Sequence, residues 1–514
     1  MPPESTDTTD TTETTPLLPP QPEHQPETPQ LPQPQPEHPN ANKIALLVFI
    51  VAITIDFGDY LSTAPRTQIL ENIICHNLHP DTATASDPNP PICKDADVQS
   101  ELALINGWKE TFDLLPGIIL ALPYGVMADR WGRKKVLLLS LLGLVLQEGC
   151  LRLICWNSNF IPPRAVWLTA LFQTIGGGSQ IATSMAFTIA TDIFPVEKRT
   201  NAFFLFSSGA LVADIVANPI SAYLMTFSPW VPYLASMIVE VIGCLAALVV
   251  PETLPKTLHG EGDYSSSSDS LTDAEGLMED NTETERASEA QTQKNSNSNS
   301  TLKKLLHPAT TQLSRLKEFI WSDRNILSIT IAFFTAYAAQ QALPFMLQYV
   351  SKRFEWSMAK ASILKSLKGS INLALLLILP TLSRLLSTKF SLPPLKRDLL
   401  ITRLSALFLS LGFILMGLAP HIVPFIFGLS IMSLGWGYPS TLRSVSTALV
   451  HEHQVGLLNS TIALVQGVGG VLCMPMVAAV FRKGIMWGGA WMGMLFLVAG
   501  GLFAVSGGVI SDGI

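Results

Sequence analysis

Charged side chains are scarce in this chain of 514 residues: only 14% are Asp, Glu, Lys or Arg, whereas 48% are hydrophobic. In soluble domains roughly a quarter of the residues are charged. A chain of this length has an ample interior, so its low charge indicates that much of its surface faces something other than water. This argues against a cytosolic enzyme. The six cysteines and 34 glycines likewise argue against a disulfide scaffold and a collagen.

Acidic residues concentrate in two polar segments. Residues 1–42 hold seven acids and neither Lys nor Arg, and residues 261–294 hold ten acids with only Arg286 and Lys294. Outside these segments, 31 basic and 23 acidic residues leave a net charge of +8, although the whole chain carries −7. Both segments are rich in small polar residues, Pro or Gln, and cannot bury enough apolar surface to fold. We therefore expect a disordered acidic tail and a disordered acidic linker.

Long apolar segments recur along the rest of the chain. Each is about twenty residues long, the length that crosses the hydrocarbon core of a bilayer. Six precede the linker and six follow it, so the sequence predicts an all-α membrane protein with twelve transmembrane helices. The predicted spans one to twelve lie at residues 44–64, 110–128, 135–155, 165–190, 202–226, 231–250, 326–350, 362–385, 399–419, 422–445, 456–481 and 487–510.

Lys and Arg near the span ends indicate the orientation, because cytosolic loops carry an excess of them. Clusters follow spans two, four and eight and precede span seven, which places them on one side together with both termini. The loops on the opposite side also hold basic residues. The excess of Lys and Arg on the cytosolic side is therefore clear only when the basic residues between the linker and span seven are counted. The clusters contain Arg130, Arg133, Lys134, Lys135, Lys198, Arg199, Lys303, Lys304, Arg315, Lys317, Arg324, Arg384, Lys389, Lys396 and Arg397.

Two of the cysteines, Cys75 and Cys93, share the first predicted outward loop, residues 65–106. That loop meets an oxidising compartment, where disulfides form and persist. We therefore expect a disulfide between them. The other four cysteines lie within predicted spans, where packing explains them.

The two sets of six spans suggest an internal duplication. Gly176 and Gly178 in span four match Gly435 and Gly437 in span ten at an offset of 259 residues. Two further matches between loops have offsets of 255 and 256 residues. The nearly constant offset supports a repeat better than any single match does.

The loop after span two, residues 125–135, reads GVMADRWGRKK. It resembles the G-x-x-x-D-R-x-G-R-K signature of the major facilitator superfamily, and it lies between spans two and three as that signature does. Residues 192–199 after span four resemble the second cytosolic motif of the family, and the PETL sequence at 251–254 closes span six as in many fungal members. The resemblance covers residues 43–510 apart from the linker.

This resemblance implies the major facilitator fold, in which two six-helix bundles rock about a central cavity. The bundles would occupy residues 43–255 and 325–514, after the disordered cytosolic tail at residues 1–42. A cytosolic linker at residues 256–324 would join them. This linker is mostly disordered, but Leu313, Leu316, Phe319 and Ile320 recur at helical spacing and predict a short amphipathic helix before span seven.

The resemblance also implies a gate at the cytosolic side. Asp129 would lie beside the N-terminus of span eleven near Gly456, where a helix dipole stabilises a carboxylate. Arg130 and Arg133 would hold Asp192 in a charge-assisted pair. The gate candidates are Gly125, Asp129, Arg130, Gly132, Arg133, Lys134, Asp192 and Arg199.

Ionisable residues lie inside several spans, where they are costly and indicate function. The amino-terminal half holds buried acids, such as Asp56 in the middle of span one, and the carboxy-terminal half holds buried bases. Two interpretations stay open. In the first, an acid without a partner carries a proton, and Asp56 is the leading candidate. In the second, the acids pair with opposing bases and form a gate between the bundles, for example Asp214 with Lys368. The candidates are Asp56, Asp59, Asp113, Asp214, Glu240, Lys365 and Lys368.

The family resemblance implies a substrate cavity lined by spans one, four, seven and ten. Aromatic and amide side chains in these spans suit a bulky, largely apolar organic molecule. Ordinary helix packing is the alternative for each residue. The cavity candidates are Tyr60, Gln173, Tyr337, Gln340, Gln341 and Trp436.

The sequence thus predicts a secondary active transporter, not an enzyme, with no cofactor or metal. The first interpretation is proton-coupled efflux of a secondary metabolite or toxic compound. Proton-coupled uptake of a nutrient or vitamin-like organic acid stays open, because Phe172 replaces the Arg of the antiporter motif and Asn218 replaces the Gly of its Gly-Pro pair. A non-transporting membrane sensor that signals through the tail and linker is a third interpretation.

The expected partners are a small organic substrate, protons and the lipid bilayer, without nucleic acid, and we expect a monomer. Such a chain is a multi-pass protein of the plasma membrane. Residues 13–18, ETTPLL, resemble an acidic dileucine sorting motif, so a vacuolar or endosomal membrane is the alternative.

Overall fold

The computed structural model describes residues 40–80, 91–254, 316–321, 323–389, 393–450 and 454–513. Regular structure within these residues is helical, as the apolar segments predict. The acidic tail up to residue 39 and most of the linker lie outside the described residues. Of the predicted amphipathic helix, residues 316–321 are described and helical, with Leu316 and Phe319 buried.

The first six spans are helices with short connections. Span four consists of two pieces, a 3₁₀ helix and an α-helix, while the other five are continuous. The bounds are Ala41–Leu78 for span one, Ala96–Trp131 for span two, Arg133–Trp156 for span three, Pro163–Thr174 and Gly178–Ile193 for span four, Val196–Leu224 for span five and Trp230–Ala247 for span six.

The second six spans repeat this order. Span seven is interrupted by a short 3₁₀ turn, span ten consists of two α-helices, and span twelve begins with a 3₁₀ turn. The bounds are Arg324–Gln340, Leu343–Phe345 and Met346–Arg353 for span seven, Met358–Lys389 for span eight, Pro394–Leu418 for span nine, Ile422–Leu434 and Tyr438–Leu449 for span ten, Val455–Trp487 for span eleven, and Gly489–Gly493 and Met494–Gly513 for span twelve.

Spans four and ten are interrupted at the glycines that the internal repeat matches. Gly176 has φ +147°, and a Cβ there would collide with the backbone of span three at Ser140. In the second half, a Cβ on Gly435 would lie 2.5 Å from the Ser405 carbonyl of span nine. Glycine thus allows a close helix approach at equivalent places in both halves, so the duplication is visible in the packing.

Eleven helices within the described ranges are long and apolar enough to cross a membrane. Span four, which consists of a 3₁₀ helix of 12 residues and an α-helix of 16 residues, is not among them. With this broken span the count is the predicted twelve, six on each side of the linker. The predicted fold class, an all-α membrane protein of twelve spans in two halves, is confirmed.

Spans one and two extend further toward their shared connection than hydropathy predicts. The predicted outward loop at residues 65–106 begins as helix up to Leu78 and resumes as helix at Ala96. Arg66, placed in that loop by the sequence, is 8% exposed and forms an ion pair with Glu148. A hydropathy window stops at such charges, whereas the helix continues because they are neutralised inside the protein.

Candidate functional site

The loop between spans two and three folds against the end of span six. Gly132 has φ +110°, and a Cβ at this position would collide with the carboxylate of Glu252. That carboxylate accepts a hydrogen bond from the backbone N–H of Arg133 at 2.8 Å. Lys134 Nζ donates to the Leu248 carbonyl oxygen at 2.7 Å. The signature glycine is therefore needed for the loop to dock on span six.

The guanidinium of Arg133 joins two carboxylates of this loop region. It pairs with Asp129 one turn earlier, and its Nε lies 3.3 Å from Asp192 at the end of span four. The Asp129 side chain remains 64% exposed. Arg130 is exposed, and Arg199 donates to a backbone carbonyl after span four at 3.1 Å. We call the end of the molecule that carries this loop the inner end, and the opposite end the outer end.

Spans two and eleven touch toward the outer end and separate toward the inner end. A Cβ on Gly107 would lie 2.5 Å from a side chain of span eleven, and a Cβ on Gly467 would lie 3.5 Å from a side chain of span two. Gly125 and Gly456, nearer the inner end, have open space within 4 Å among the described residues. Among the described residues no hydrogen bond or ion pair joins Asp129 to the start of span eleven, so the contact of Asp129 with that helix stays a prediction.

The outer end is built around a buried carboxylate. The Cys75–Cys93 disulfide ties the helical turn before span two to the end of span one. Lys94, next to it, places Nζ 2.7 Å and 2.8 Å from the two carboxylate oxygens of Glu71. Glu71 is 1% exposed and also accepts a hydrogen bond from the Gln99 amide. The disulfide thus holds Lys94 where it neutralises Glu71.

The same groups connect the two halves of the molecule at the outer end. Lys94 Nζ donates to Ser351 Oγ of span seven at 2.7 Å, and Lys352 Nζ donates to the Lys94 carbonyl oxygen. Gln348 Nε2 donates to the Gln99 carbonyl oxygen at 2.6 Å. The halves are thus joined at the outer end, whereas Gly125 and Gly456 nearer the inner end have open space around them, and we interpret this as an inward-open arrangement. We refer to Glu71, Lys94, Gln99, Gln348, Ser351 and Lys352 as the outer network.

A cavity of about 470 Å³ lies between the halves. Its walls come from spans one, two, three, four, six, seven and eight, and the interruption in span seven contributes Leu343, Pro344 and Phe345. The lining is far more charged than the sequence analysis expects. The charged lining residues are Asp56, Asp59, Arg66, Lys109, Glu110, Asp113, Glu148, Glu240, Lys365 and Lys368.

One hydrogen-bonded chain in the cavity wall runs from span two to span four. Lys109 Nζ lies 2.6 Å from Asp113 Oδ2, and Gln147 Nε2 donates to Asp113 Oδ1 at 2.8 Å. The Gln173 amide in turn donates to Gln147 Oε1. Asp113 is therefore neutralised by a lysine, and Gln173 is held in a fixed orientation at the cavity.

A second group of ions lies between spans one, three and six. Arg66 Nη1 is 3.2 Å from Glu148, and Arg152 Nη1 is 2.8 Å from the same carboxylate. Arg66 also lies 4.0 Å from Glu110. Arg152 Nη2 is 3.7 Å from Glu240, whose carboxylate oxygens accept no hydrogen bond from the described residues. The two arginines thus offset the charge of Glu148 and Glu110, with Glu240 held more loosely.

Four charged residues of the cavity remain without an ion pair inside the described part of the chain. Asp56 and Asp59, the span-one acids, have no described cation within 4 Å, and Lys365 and Lys368, the span-eight lysines, have no described carboxylate within 4 Å. Lys368 Nζ instead lies 5.1 Å from the centre of the Trp436 ring. The unpaired acids belong to the first half and the unpaired lysines to the second.

Asp214 of span five is the nearest candidate partner for those lysines. Its carboxylate accepts a hydrogen bond from Asn218 Nδ2 at 2.7 Å, and a Cβ on Gly369 would lie 3.3 Å from its Oδ2. Asp214 therefore packs against the backbone of span eight. The predicted ion pair of Asp214 with Lys368 is absent from this conformation, since the two charges are more than 4 Å apart.

Only two of the six predicted cavity residues, Tyr60 and Gln173, line this cavity. Tyr337 packs instead against glycines of span eleven, and Gln341 Nε2 donates to the Tyr337 carbonyl oxygen at 3.4 Å. Gln340 ends the first helix of span seven at the interruption. Trp436 lies in the break of span ten, which contributes no lining residue. This cavity is lined mainly by spans one, two and three, with fewer residues from spans four, six, seven and eight. A substrate role for the other four predicted residues stays a prediction.

The sequence analysis missed Arg66 because it placed this residue in the first outward loop, and it missed Lys109 because predicted span two begins at residue 110. The spacing of Lys109 and Asp113 was a usable signal, since an acid and a base four residues apart meet on one helix face. No comparable local signal marks Arg66, because its partner Glu148 is 82 residues away.

Known proteins resemble this chain along most of its length. It is 31% identical over 478 residues to the MFS efflux pump atnC of Emericella nidulans, covering 91% of this chain and 87% of that protein. It is 33% identical over 479 residues to the efflux pump ustT of Aspergillus flavus, covering 92% and 89% respectively. Both of these similar proteins are named as efflux pumps and come from fungi.

Solved structures share the fold at low sequence identity. A D-xylose–proton symporter matches with a TM-score of 0.59 at 11% identity, covering 91% of this chain and 97% of its own. A bacterial homologue of the lysosomal transporter Spinster matches with a TM-score of 0.53 at 15% identity, covering 92% and 97%. The sequence profile of the Major Facilitator Superfamily matches residues 103–474. This chain is therefore a multi-pass membrane transporter that belongs to the Major Facilitator Superfamily.

Proposed function

We propose that this chain exports a small organic molecule across its membrane in exchange for protons, by alternating access. The cavity between the halves is open toward the inner end and closed by the outer network, which is the state that accepts a molecule from the cytosol. The direction is supported by two similar fungal proteins, atnC and ustT, which are named as efflux pumps.

The span-one acids are the observation that carries the proposal. Asp56 and Asp59 line the cavity, and no described cation lies within 4 Å of either. An unpaired carboxylate in a membrane-embedded cavity is costly in its ionised form and is a functional site by default. The carboxylate can be neutralised by a proton or by a bound cationic substrate. Because the two compete for the same group, binding of one releases the other, and this couples proton transport to substrate transport. Asp56 is the proton carrier in this proposal, with Asp59 one turn away.

The outward-open state follows from the geometry of the two ends. The outer network must separate, and spans two and eleven must meet at their inner ends, which brings Gly125 and Gly456 into contact. Asp129 then approaches the N-terminus of span eleven, whose unpaired N–H groups favour a carboxylate. Arg133 keeps Asp129 and Asp192 in place during this change. The signature loop therefore acts as a latch for the inner end in the state not seen here.

The moving bodies in this proposal are bundles at residues 43–255 and 325–514, joined by a linker at residues 256–324. One chain suffices as the functional unit, because the cavity is enclosed by spans of a single chain. The plasma membrane is the proposed location. The outer-end disulfide between Cys75 and Cys93 supports it, because such a bond persists in an oxidising compartment.

A flux assay in proteoliposomes tests the exchange. The full-length protein is reconstituted, and the fluorescent amino acid Nε-dansyl-lysine is added outside vesicles with an acidic lumen. Exchange of protons for substrate drives the probe into an acidic lumen whichever way the protein is inserted. Co-transport with protons drives it into an alkaline lumen instead, which distinguishes export from proton-coupled uptake.

The variant Asp56→Asn separates proton coupling from substrate passage. We expect it to lose accumulation driven by the pH gradient while it retains exchange of labelled for unlabelled probe. Asp97→Asn is the matched control, since Asp97 is an exposed acid at the start of span two outside the cavity. If the Asp56→Asn variant accumulates the probe with the same dependence on the pH gradient as the wild type, the assignment of the proton to Asp56 is wrong.

A further inference from the structure

The charged groups of the cavity fall into a paired set and an unpaired set. Asp113 is paired with Lys109, and Glu148 is paired with Arg66 and Arg152. These ions are already compensated inside the first half, so a ligand gains little from them. The unpaired set consists of the span-one acids and the span-eight lysines, and it determines which ligand charges the cavity accommodates.

The acidic wall has room for a cation. Asp56 and Asp59 accept no side-chain hydrogen bond from the described residues, although they line the cavity. Glu240 lines it as well, is 5% exposed, and accepts no hydrogen bond from the described residues at either carboxylate oxygen. Its nearest cation, Arg152, is 3.7 Å away and already pairs with Glu148. An ammonium group has three N–H donors, which matches several acceptors on one wall.

The basic wall has room for an anion. Lys365 and Lys368 lie one turn apart on span eight and both line the cavity. Asp214 is the only carboxylate of span five near them in the described structure, and it is occupied by Asn218 and packed against Gly369. Neither lysine has a described carboxylate within 4 Å, so the ammonium groups of this wall are available to an acidic ligand.

We infer that the transported molecule is dipolar, with an amine that binds the span-one acids and a carboxylate that binds the span-eight lysines. The inference rests on the proposed function, because it names the substrate of the same cavity. A ligand with a single charge leaves one of the two walls uncompensated, whereas a dipolar ligand satisfies both. Leu114, Leu343 and Phe345 complete the lining and suit an apolar side chain attached to the dipolar group.

This arrangement also gives substrate binding a structural consequence. The acids belong to span one of the first half, and the lysines belong to span eight of the second half. A dipolar molecule therefore contacts both halves at once and draws them together around the cavity. Protonation of Asp56 removes one of the charges that bind the amine, so protons and substrate compete for the same wall.

Four forms of one probe test the inference by binding alone. Nε-dansyl-lysine is dipolar, its α-carboxamide keeps only the amine, its Nα-acetyl derivative keeps only the carboxylate, and the Nα-acetyl carboxamide keeps neither. Dansyl fluorescence reports their binding to the purified full-length protein in nanodiscs. Loss of one charge-assisted contact weakens binding about ten-fold or more, so we expect the dipolar form to bind about ten-fold more tightly than either singly charged form.

Variants assign each charge to its wall. The double variant Lys365→Gln/Lys368→Gln should bind the carboxylate and carboxamide forms of the probe equally well. It should still bind the amine forms more tightly than the acetamide forms. Asp56→Asn with Asp59→Asn should have the converse effect. Lys360→Gln is the control, since Lys360 is an exposed lysine on the same span outside the cavity. A second measurement, thermal unfolding, verifies that the variants fold.

Several results would overturn the inference. These are equal binding of the four forms, no binding of any form, or an unchanged carboxylate preference in the folded lysine variant. The outcome is separable from that of the proposed function. Binding with the predicted preferences but without flux driven by the pH gradient would refute the function alone. Gradient-driven flux of all four forms at equal rates would refute the inference alone.

Discussion

Replacement of Lys94 by Gln should shift the protein from outer-closed to outer-open. In the closed state Lys94 Nζ bonds both oxygens of Glu71 and Ser351 Oγ, all within 2.8 Å. The variant loses a charge-assisted contact across the halves and leaves Glu71, which is 1% exposed, buried without a cation. In the open state water can solvate Glu71, so the cost falls mainly on the closed state.

The magnitude follows from these contacts. A hydrogen bond to a charged group contributes about 1.5–3 kcal/mol, and an uncompensated buried charge adds to the loss. A combined loss of about 2–4 kcal/mol raises the ratio of open to closed protein about 30- to 700-fold, because each 1.4 kcal/mol is about ten-fold. Ser351→Ala removes the contact with Lys94 between the halves, together with the Ser351 Oγ hydrogen bond to the Trp356 carbonyl oxygen within the second half. It leaves the Glu71–Lys94 pair intact and should raise the ratio about ten-fold.

Labelling from outside measures this ratio. The reporter is a cysteine in place of Asn106, which lines the cavity. The four free cysteines of the protein are first replaced by Ser. Intact cells are then treated with a membrane-impermeant maleimide. The labelling rate should rise in the order wild type, Ser351→Ala, Lys94→Gln. Arg164→Gln is the control, because Arg164 pairs with Glu101 at the outer end within one half. Equal rates for Lys94→Gln and Arg164→Gln would refute the gating role of the outer network.

Further variants test the remaining contacts. Gly132→Ala forces alanine into an extended, positive-φ backbone conformation that only Gly readily adopts, at about 1–3 kcal/mol, and against Glu252, so the melting temperature should fall. Gly125→Ala, with open space around it, should melt normally yet slow gradient-driven flux, and the reverse pattern would contradict the latch. Arg152→Gln leaves buried Glu240 without a cation and removes one of the two arginines that pair with Glu148. It should cost about 3–5 kcal/mol of unfolding free energy, against less than about 1 kcal/mol for the exposed Arg164→Gln. Equal denaturation midpoints for these two variants would contradict the ion network.

Much of the architecture could be predicted from sequence because it depends on local patterns. Twenty-residue apolar segments predict the spans, and the signature loop at residues 125–135 predicts the family. The matched glycines of spans four and ten predicted a repeat, and in the structure both sets interrupt a helix that packs closely on its neighbour. Each of these features is contained in a short stretch of chain.

The charge network of the cavity could not be predicted in the same way. Which base neutralises Glu148 depends on where span one lies against span three, and hydropathy had ended span one before Arg66. Trp436 was assigned to the cavity by its aromatic character, but the fold places its ring against Lys368. Ion pairing between distant segments is a property of the packed helices, so only the structure separates paired from unpaired charges.

Accumulation of Nε-dansyl-lysine in proteoliposomes tests the central claim, export in exchange for protons, most directly. The account predicts that the wild-type protein concentrates the probe in an acidic lumen above the level of protein-free vesicles. Asp56→Asn should abolish this accumulation and Asp97→Asn should preserve it. Accumulation in an alkaline lumen, or undiminished accumulation by Asp56→Asn in an acidic lumen, would contradict it.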